Sequence, residues 1–164
     1  MEHKDTKTLR TSQGAKTQSL LSSEEYDSLQ SLSNTIIGAA IEVHRELGPG
    51  FLESIYEECL RVELEEKGLK VDAQVDLPLT YKGKETGKDF RIDLLEENKF
   101  IVELKAVESI KPLHEVQLLT YMKLSDIHMG LLINFNVPVL KEGIKRKING
   151  TFENTQGISY IKDW

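Results

Sequence analysis

The stretch Arg91-Ile92-Asp93-Leu94-Leu95-Glu96-Glu97-Asn98-Lys99-Phe100-Ile101-Val102-Glu103-Leu104-Lys105 holds the residue types best able to do chemistry. Asp93 interrupts one apolar run, and Glu103 and Lys105, two apart, interrupt the next. In an extended strand side chains alternate, so Phe100, Val102 and Leu104 take one face while Ile101, Glu103 and Lys105 take the other. A hairpin with the three-residue loop Glu96 to Asn98 would pair Leu95 with Lys99 and Asp93 with Ile101. Cross-strand partners share a face, so Asp93, Glu103 and Lys105 would lie together. A two-residue loop would turn Asp93 away. The spacing therefore predicts an odd-length loop.

Two carboxylates a few ångströms apart repel, and one is driven toward protonation unless a cation sits between them. A hard divalent ion, Mg²⁺ or Mn²⁺, removes that conflict with one or two carboxylates and water. Such an ion polarises a phosphoryl oxygen and acidifies water. Lys105 is placed to orient or deprotonate that water, or to neutralise charge on phosphate. A solvated Glu–Lys strand face has the same composition, so the reading depends on neighbouring elements. Gln117 and Tyr121, four apart, share one face of a predicted helix and offer an amide and a hydroxyl. Glu53 and Tyr56, three apart, open another helix, where Glu53 is also an ordinary partner for the helix dipole.

These residues need elements to position them. A helix is expected from Ser23, with Ser23 as its N-cap, to the break at Gly48-Pro49-Gly50. A second runs from about Leu52 to Lys67, and Gly68 stops it. Val71, Ala73, Val75, Leu77 and Leu79 alternate as one strand face ending near Lys82-Gly83-Lys84. Lys88 to Leu95 and Lys99 to Ala106 form the hairpin. Leu113 to Leu124 is helical, Met129 to Phe135 is a buried strand, and Val137 to Ile148 is a loop leading into a last strand or short helix. This order predicts a mixed α/β domain around one sheet.

Composition narrows the function classes. Of 164 residues 39% are hydrophobic and 29% charged, which suits one globular domain. The net charge of −6 excludes nucleic-acid binding by bulk charge alone. Thirteen acids against seven bases fall in residues 52–98, whereas residues 137–164 hold five bases and three acids. Lys141, Lys145, Arg146 and Lys147 form a small basic cluster there. Cys59 is the one cysteine, so a disulfide within the chain is excluded, and its helical setting predicts a small buried side chain. His3, His44, His114 and His128 lack metal-ligand spacing, although His114 precedes Gln117 by three and can border the site. No apolar run approaches the ~18 residues of a membrane span, and no apolar signal core opens the chain. A cytoplasmic location is expected.

The segment Gly50-Phe51-Leu52-Glu53-Ser54-Ile55-Tyr56 resembles the signature of the GxxExxY proteins, a group in the PD-(D/E)xK nuclease superfamily. The resemblance extends from about Leu32 to Ile148 and includes IIGAAIEVHRELGPGFLESIYEECL, FRIDLL, IVELKAVESIKPLHEVQLLTYMKL and GLLINFNVPVLKEGIKR. It implies a restriction-endonuclease-like core of helix, three antiparallel strands, helix and strand, with an extra N-terminal helix. It implies that Asp93 and Glu103 bind metal, that Lys105 is the Lys of the Glu-x-Lys element, and that Glu53 is an acid joining the site from the leading helix. Gln117 and Tyr121 are similar to the QxxxY helix of RecB-like and phage-exonuclease-like members. Ile92 stands where the superfamily name has Pro. The expected organisation is a disordered or loosely docked tail over 1–22, a nuclease-like domain over 23–152 and a short tail over 153–164. The expected activity is Mg²⁺- or Mn²⁺-dependent hydrolysis of nucleic acid, DNA above all. Two other readings stay open: a catalytically silent module that binds nucleic acid or protein, and a homo-oligomer packed through Ser33 to Leu47, where Gly38-Ala39-Ala40 permits close approach.

Overall fold

A computed structural model describes residues 6–10, 20–153 and 159–161; His3 and most of the two expected tails lie outside them. A short strand, β1 (Leu20–Leu21), leads into α1 (Ser23–Leu47). The N-cap is Ser22, not Ser23. From Ser22 the hydroxyl accepts from the Glu25 N–H (3.1 Å) while Glu25 accepts from the Ser22 N–H (2.8 Å). Only this choice puts an acid three residues on with both bonds closed, a capping box. After α2 (Glu53–Glu66) come β2 (Val71–Tyr81), β3 (Lys84–Glu96) and β4 (Phe100–Lys105). Then follow α3 (Pro112–Ser125), β5 (Met129–Asn134), a single 3₁₀ turn at Leu140–Gly143 and β6 (Ile144–Ile148). The segment Val137 to Ile148 thus contains both a short helix and a strand.

The five strands lie in the order β2-β3-β4-β5-β6. β2, β3 and β4 are consecutive antiparallel neighbours, β5 runs parallel to β4 after the α3 crossover, and β6 is antiparallel to β5. A parallel pair needs a long connection of this kind. This is the mixed α/β, restriction-endonuclease-like arrangement that the resemblance implies.

Two apolar layers hold the sheet. Ile36, Ala39, Ala40, Val43, Tyr56 and Leu60 of α1 and α2 pack on Phe100, Val102, Leu104, Leu131 and Ile133. Leu118, Tyr121 and Met122 of α3 pack on the other face, against Val75, Ile92, Leu95, Ile101 and Leu132. Ala39 and Ala40 are therefore used inside this chain's own core. Helix α3 sits so close to the sheet that a Cβ on Gly130 would lie 3.0 Å from Leu118 Cδ1 and 3.1 Å from the Ile101 carbonyl. Cys59 is a free thiol, partly buried at the edge of the first layer.

Two of the expected details are corrected. The face Val71 to Leu79 is not continuous: Val71 packs on the α1–α2 layer, but Val75 and Leu77 pack on the α3 layer. The cause is Gln74, whose φ of +53° is left-handed and reverses the alternation. The hairpin loop has odd length, but it is Glu97 to Lys99, with Glu96 opposite Phe100. Glu97 and Asn98 adopt the left-handed conformations (φ +50° and +57°) that close the turn, and Glu97 is held there by paired backbone and side-chain bonds to Lys70, both 2.9 Å.

Parts of the 1–22 segment are placed against the domain. The Leu9 N–H donates to the Asp76 carbonyl and the Asp76 N–H to the Lys7 carbonyl, both at 2.9 Å. β1 pairs in parallel with β7 (Thr151–Glu153), which pairs with β8 (Ser159–Ile161). Among the described residues of that segment, the apolar side chains that pack are Leu9 and Leu21. Among the described residues, no helix is long and apolar enough to cross a membrane.

Candidate active site

Gln74 of β2, Asp93 of β3 and Glu103 of β4 share one rung across the sheet. The pairs Ala73–Leu94 and Val75–Ile92 flank the first two, and Leu94–Val102 adjoins the last two. Regular pairing of β3 with β4 stops one residue short of this rung, and side chains take over the backbone bonds. Asp93 Oδ2 accepts from the Leu104 N–H at 2.8 Å, and Glu103 Oε1 accepts from the Asp93 N–H at 3.1 Å. The predicted partner of Asp93, Ile101, instead faces Leu95. The shift keeps parity, so Asp93 still reaches Glu103.

Burial sets the electrostatics. Glu103 is 5% exposed. Its carboxyl is pushed well above the usual range, first by desolvation and then by the Asp93 charge. Asp93 is also raised by burial, although the Leu104 N–H and the Lys105 ammonium oppose the shift. The two carboxyls are bonded into the same rung from opposite strands and the Asp93 charge disfavours ionisation of Glu103, a conflict that a proton or a cation relieves.

Lys105 follows at the end of β4, opposite Asn134. The chain just beyond it is gripped from both sides. Glu53 Oε1 accepts from the Ala106 N–H (3.2 Å), and Val107 exchanges two bonds with the buried Asn134 amide (2.9 and 3.1 Å). Glu53 is delivered by the turn before α2. There, the Tyr56 hydroxyl donates to the Gly48 carbonyl (2.6 Å) and accepts from the Phe51 N–H (3.2 Å). The Tyr56 ring is fully buried and stacks on Phe135 at 4.5 Å.

From α3, Gln117 Nε2 donates to the Tyr121 hydroxyl at 2.8 Å. Tyr121 is buried beside Phe90, and its phenol is raised by desolvation and by the nearby Glu103 and Asp93 charges. Gln117 and Tyr121 thus flank the carboxylates. His114 does not reach them: its Nδ1 accepts from the Lys111 N–H (3.1 Å) at the start of α3. His44 and His128 bond to the Val137 and Asn149 carbonyls, both at 2.8 Å.

Sequence reasoning missed three residues. Glu57 is half-buried, accepts from Gln74 Nε2 at 2.6 Å, and is raised by desolvation and by the Asp93 charge. Its spacing of four from Glu53 was the available signal. Asn134, the polar end of an otherwise apolar run, was another. Gln74 carried no signal, because it occupies an expected outward position.

Two desolvated carboxylates beside one ammonium form a hard-oxygen donor set that fits Mg²⁺ or Mn²⁺ completed by water. Among the described residues, no three His, Cys, Asp or Glu side chains converge as a metal cage. Asp93 and Glu103 form the pair, and the nearby Glu53 is engaged by the Ala106 backbone.

A family model described as the PD-(D/E)XK nuclease superfamily matches residues 30–147. That span runs from within α1 into β6 and includes every residue of the site. No curated protein and no solved structure matches the chain.

Proposed function

The chain belongs to the PD-(D/E)XK nuclease superfamily, and from that premise we propose that it is a divalent-metal-dependent nuclease of the GxxExxY group that hydrolyses DNA in the cytoplasm. The observation that carries this reading is the cross-braced pair Asp93–Glu103, in which Glu103 is buried and Asp93 half-buried, with the Lys105 charge acting on both. Asp93 and Glu103 would hold the ion, Mg²⁺ or Mn²⁺, and Glu53 would add a further carboxylate. When bound, the ion supplies Lewis-acid charge neutralisation at the scissile phosphate.

The chain's own residues do the rest. Lys105 orients the attacking water and balances charge that builds on the phosphate oxygens. Gln117 donates to the oxygen of Tyr121, which leaves the phenol hydrogen for a phosphate or carboxylate acceptor. Glu53 and Asn134 fix the Ala106–Val107 backbone and so hold Lys105 in place. Lys141 and Lys145 are exposed toward solvent for phosphate contact, whereas Lys147 is ion-paired with Glu115 at 2.8 Å and Arg146 is bonded to Gln30.

A second reading, a nuclease fold that binds nucleic acid or protein without cleaving it, draws on the missing third metal acid among the described residues. Cleavage of duplex DNA, assayed with Mg²⁺ and with EDTA, separates the two. The nuclease reading expects loss of cleavage in EDTA, in Lys105→Ala and in Asp93→Ala. Cleavage that survives both substitutions rejects it.

A further inference from the structure

We propose that Gln74 is a positioning residue of this site: its amide ties Glu57 of α2 to Asp93 of β3 and thereby aims the Asp93 carboxylate at Glu103. The proposal rests on the metal-dependent reading above.

Backbone conformation gives the first argument. Five described residues other than glycine have positive φ: Gln74, Lys82, Glu97, Asn98 and Asp126. Lys82, Glu97 and Asn98 lie in hairpin turns and Asp126 caps α3; of the five, Gln74 alone lies inside a strand. A left-handed conformation is costly for an L side chain that lacks the short polar group of Asn or Asp. Such strain persists where the surroundings demand it, typically at functional sites.

The second argument is what the strained residue delivers. Its one –NH₂ group has two hydrogens and faces two carboxylates, Glu57 Oε1 at 2.6 Å and Asp93 Oδ1 at 3.5 Å. Gln74 is neutral, so it brings these acids together without cancelling the negative charge a cation needs. The same φ reverses β2, so that the strand turns from the α1–α2 layer to the α3 layer at the rung where Asp93 and Glu103 meet. Groups that orient metal ligands in this way typically change metal affinity by about 10–100-fold when removed.

Calorimetric titration of the full chain with Mn²⁺, alongside thermal unfolding, tests this in wild type, Gln74→Gly and Gln74→Met. Glycine relieves the strain and loses the amide; methionine keeps the length and the strain and loses the amide. Both variants are expected to bind Mn²⁺ about 10–100-fold more weakly, and Gln74→Gly to melt no lower than wild type. In cleavage assays kcat falls while KM for DNA stays unchanged. Wild-type Mn²⁺ affinity in either variant overturns the proposal, and a lower melting temperature for Gln74→Gly overturns the strain argument. A wild-type chain that binds no Mn²⁺ rejects the metal-dependent reading itself, and this proposal with it.

Discussion

Asp93 and Glu103 each accept a hydrogen bond from the backbone of the other's strand, at 2.8 Å from Leu104 and 3.1 Å from Asp93 itself. The carboxylates are therefore part of the sheet's bonding as well as its chemistry, and substitutions must separate the two. Asp93→Ala leaves the Leu104 N–H without its acceptor, at a cost of about 1–3 kcal/mol. Asp93→Asn keeps an acceptor there. Glu103→Gln removes a buried group that resists ionisation, so the metal-free variant should be at least as stable as wild type. It should also lose the metal-induced stabilisation, which for wild type at 100-fold excess over Kd is about 2.7 kcal/mol. Thermal melts with and without Mn²⁺ check this, and cleavage by Glu103→Gln should fall by roughly 100-fold or more.

Glu96, three residues from Asp93, predicts a pH dependence that owes nothing to metal. Its side chain is fully buried, and neither carboxyl oxygen has a hydrogen-bond partner. Desolvation raises its pKa from 4.5 to about 8, helped by the charges of Glu97, Asp72 and Glu65. The folded state keeps the proton that the unfolded chain releases above about pH 4.5. This contribution to stability is complete below that pH and declines as pH rises, until it is gone above about 8. The range corresponds to about 5 kcal/mol at 1.36 kcal/mol per pH unit. Urea unfolding at pH 5.5 and 8.5 should show wild type less stable at the higher pH. Glu96→Leu should lessen that slope, leaving the part due to the other raised carboxyls, Glu103, Asp93 and Glu57, and be the more stable protein at pH 8.5.

Much of this was legible in the sequence where local rules act alone. The helices over Ser23–Leu47 and Glu53–Glu66 follow from apolar spacing and the Gly48-Pro49-Gly50 break, and the run Met129–Asn134 is apolar because both its faces are covered. The family pattern pointed to the Asp93, Glu103 and Lys105 neighbourhood. The rest depends on tertiary partners. The hairpin register shifted because Glu97 is held by Lys70, a residue 27 positions earlier. Leu20–Leu21 is a strand only because Thr151–Phe152 comes alongside. The reversal at Gln74 is invisible to any alternation rule, since every residue before and after it has an ordinary strand pattern. The burial of Glu57 was not legible either, because the residue that covers it, Gln74, is the one whose conformation could not be foreseen.

Gly130 should tolerate no side chain. An added Cβ would meet Leu118 Cδ1 at 3.0 Å, the Ile101 carbonyl at 3.1 Å and Met122 Sδ at 3.1 Å. Leu118 and Met122 can shift slightly, but the carbonyl belongs to the central strand and cannot. Gly130→Ala should therefore push α3 off the sheet and destabilise by about 1–3 kcal/mol. Because α3 also carries Gln117 and Tyr121, the displacement should lower cleavage as well. Chemical unfolding measures the first effect and single-turnover cleavage the second.

The tyrosine of the GxxExxY segment should act on the site only through Glu53. Tyr56 does not face the carboxylates; its hydroxyl closes the Gly48–Phe51 turn, and its ring stacks on Phe135. Tyr56→Phe keeps the stacking but leaves the Gly48 carbonyl and the Phe51 N–H without that partner. The expected cost is about 1–2 kcal/mol, concentrated in the turn, with faster amide exchange at Phe51 than in wild type. Glu53 is then held less firmly on the Ala106 N–H, so kcat should fall while the Mn²⁺ affinity of the Asp93–Glu103 pair is retained. Glu53→Gln keeps an acceptor for Ala106 but removes the charge. A Tyr56→Phe, Glu53→Gln double variant should lose no more kcat than the worse single variant, because both changes act through one contact. Additive losses would show that Tyr56 reaches the site by another route.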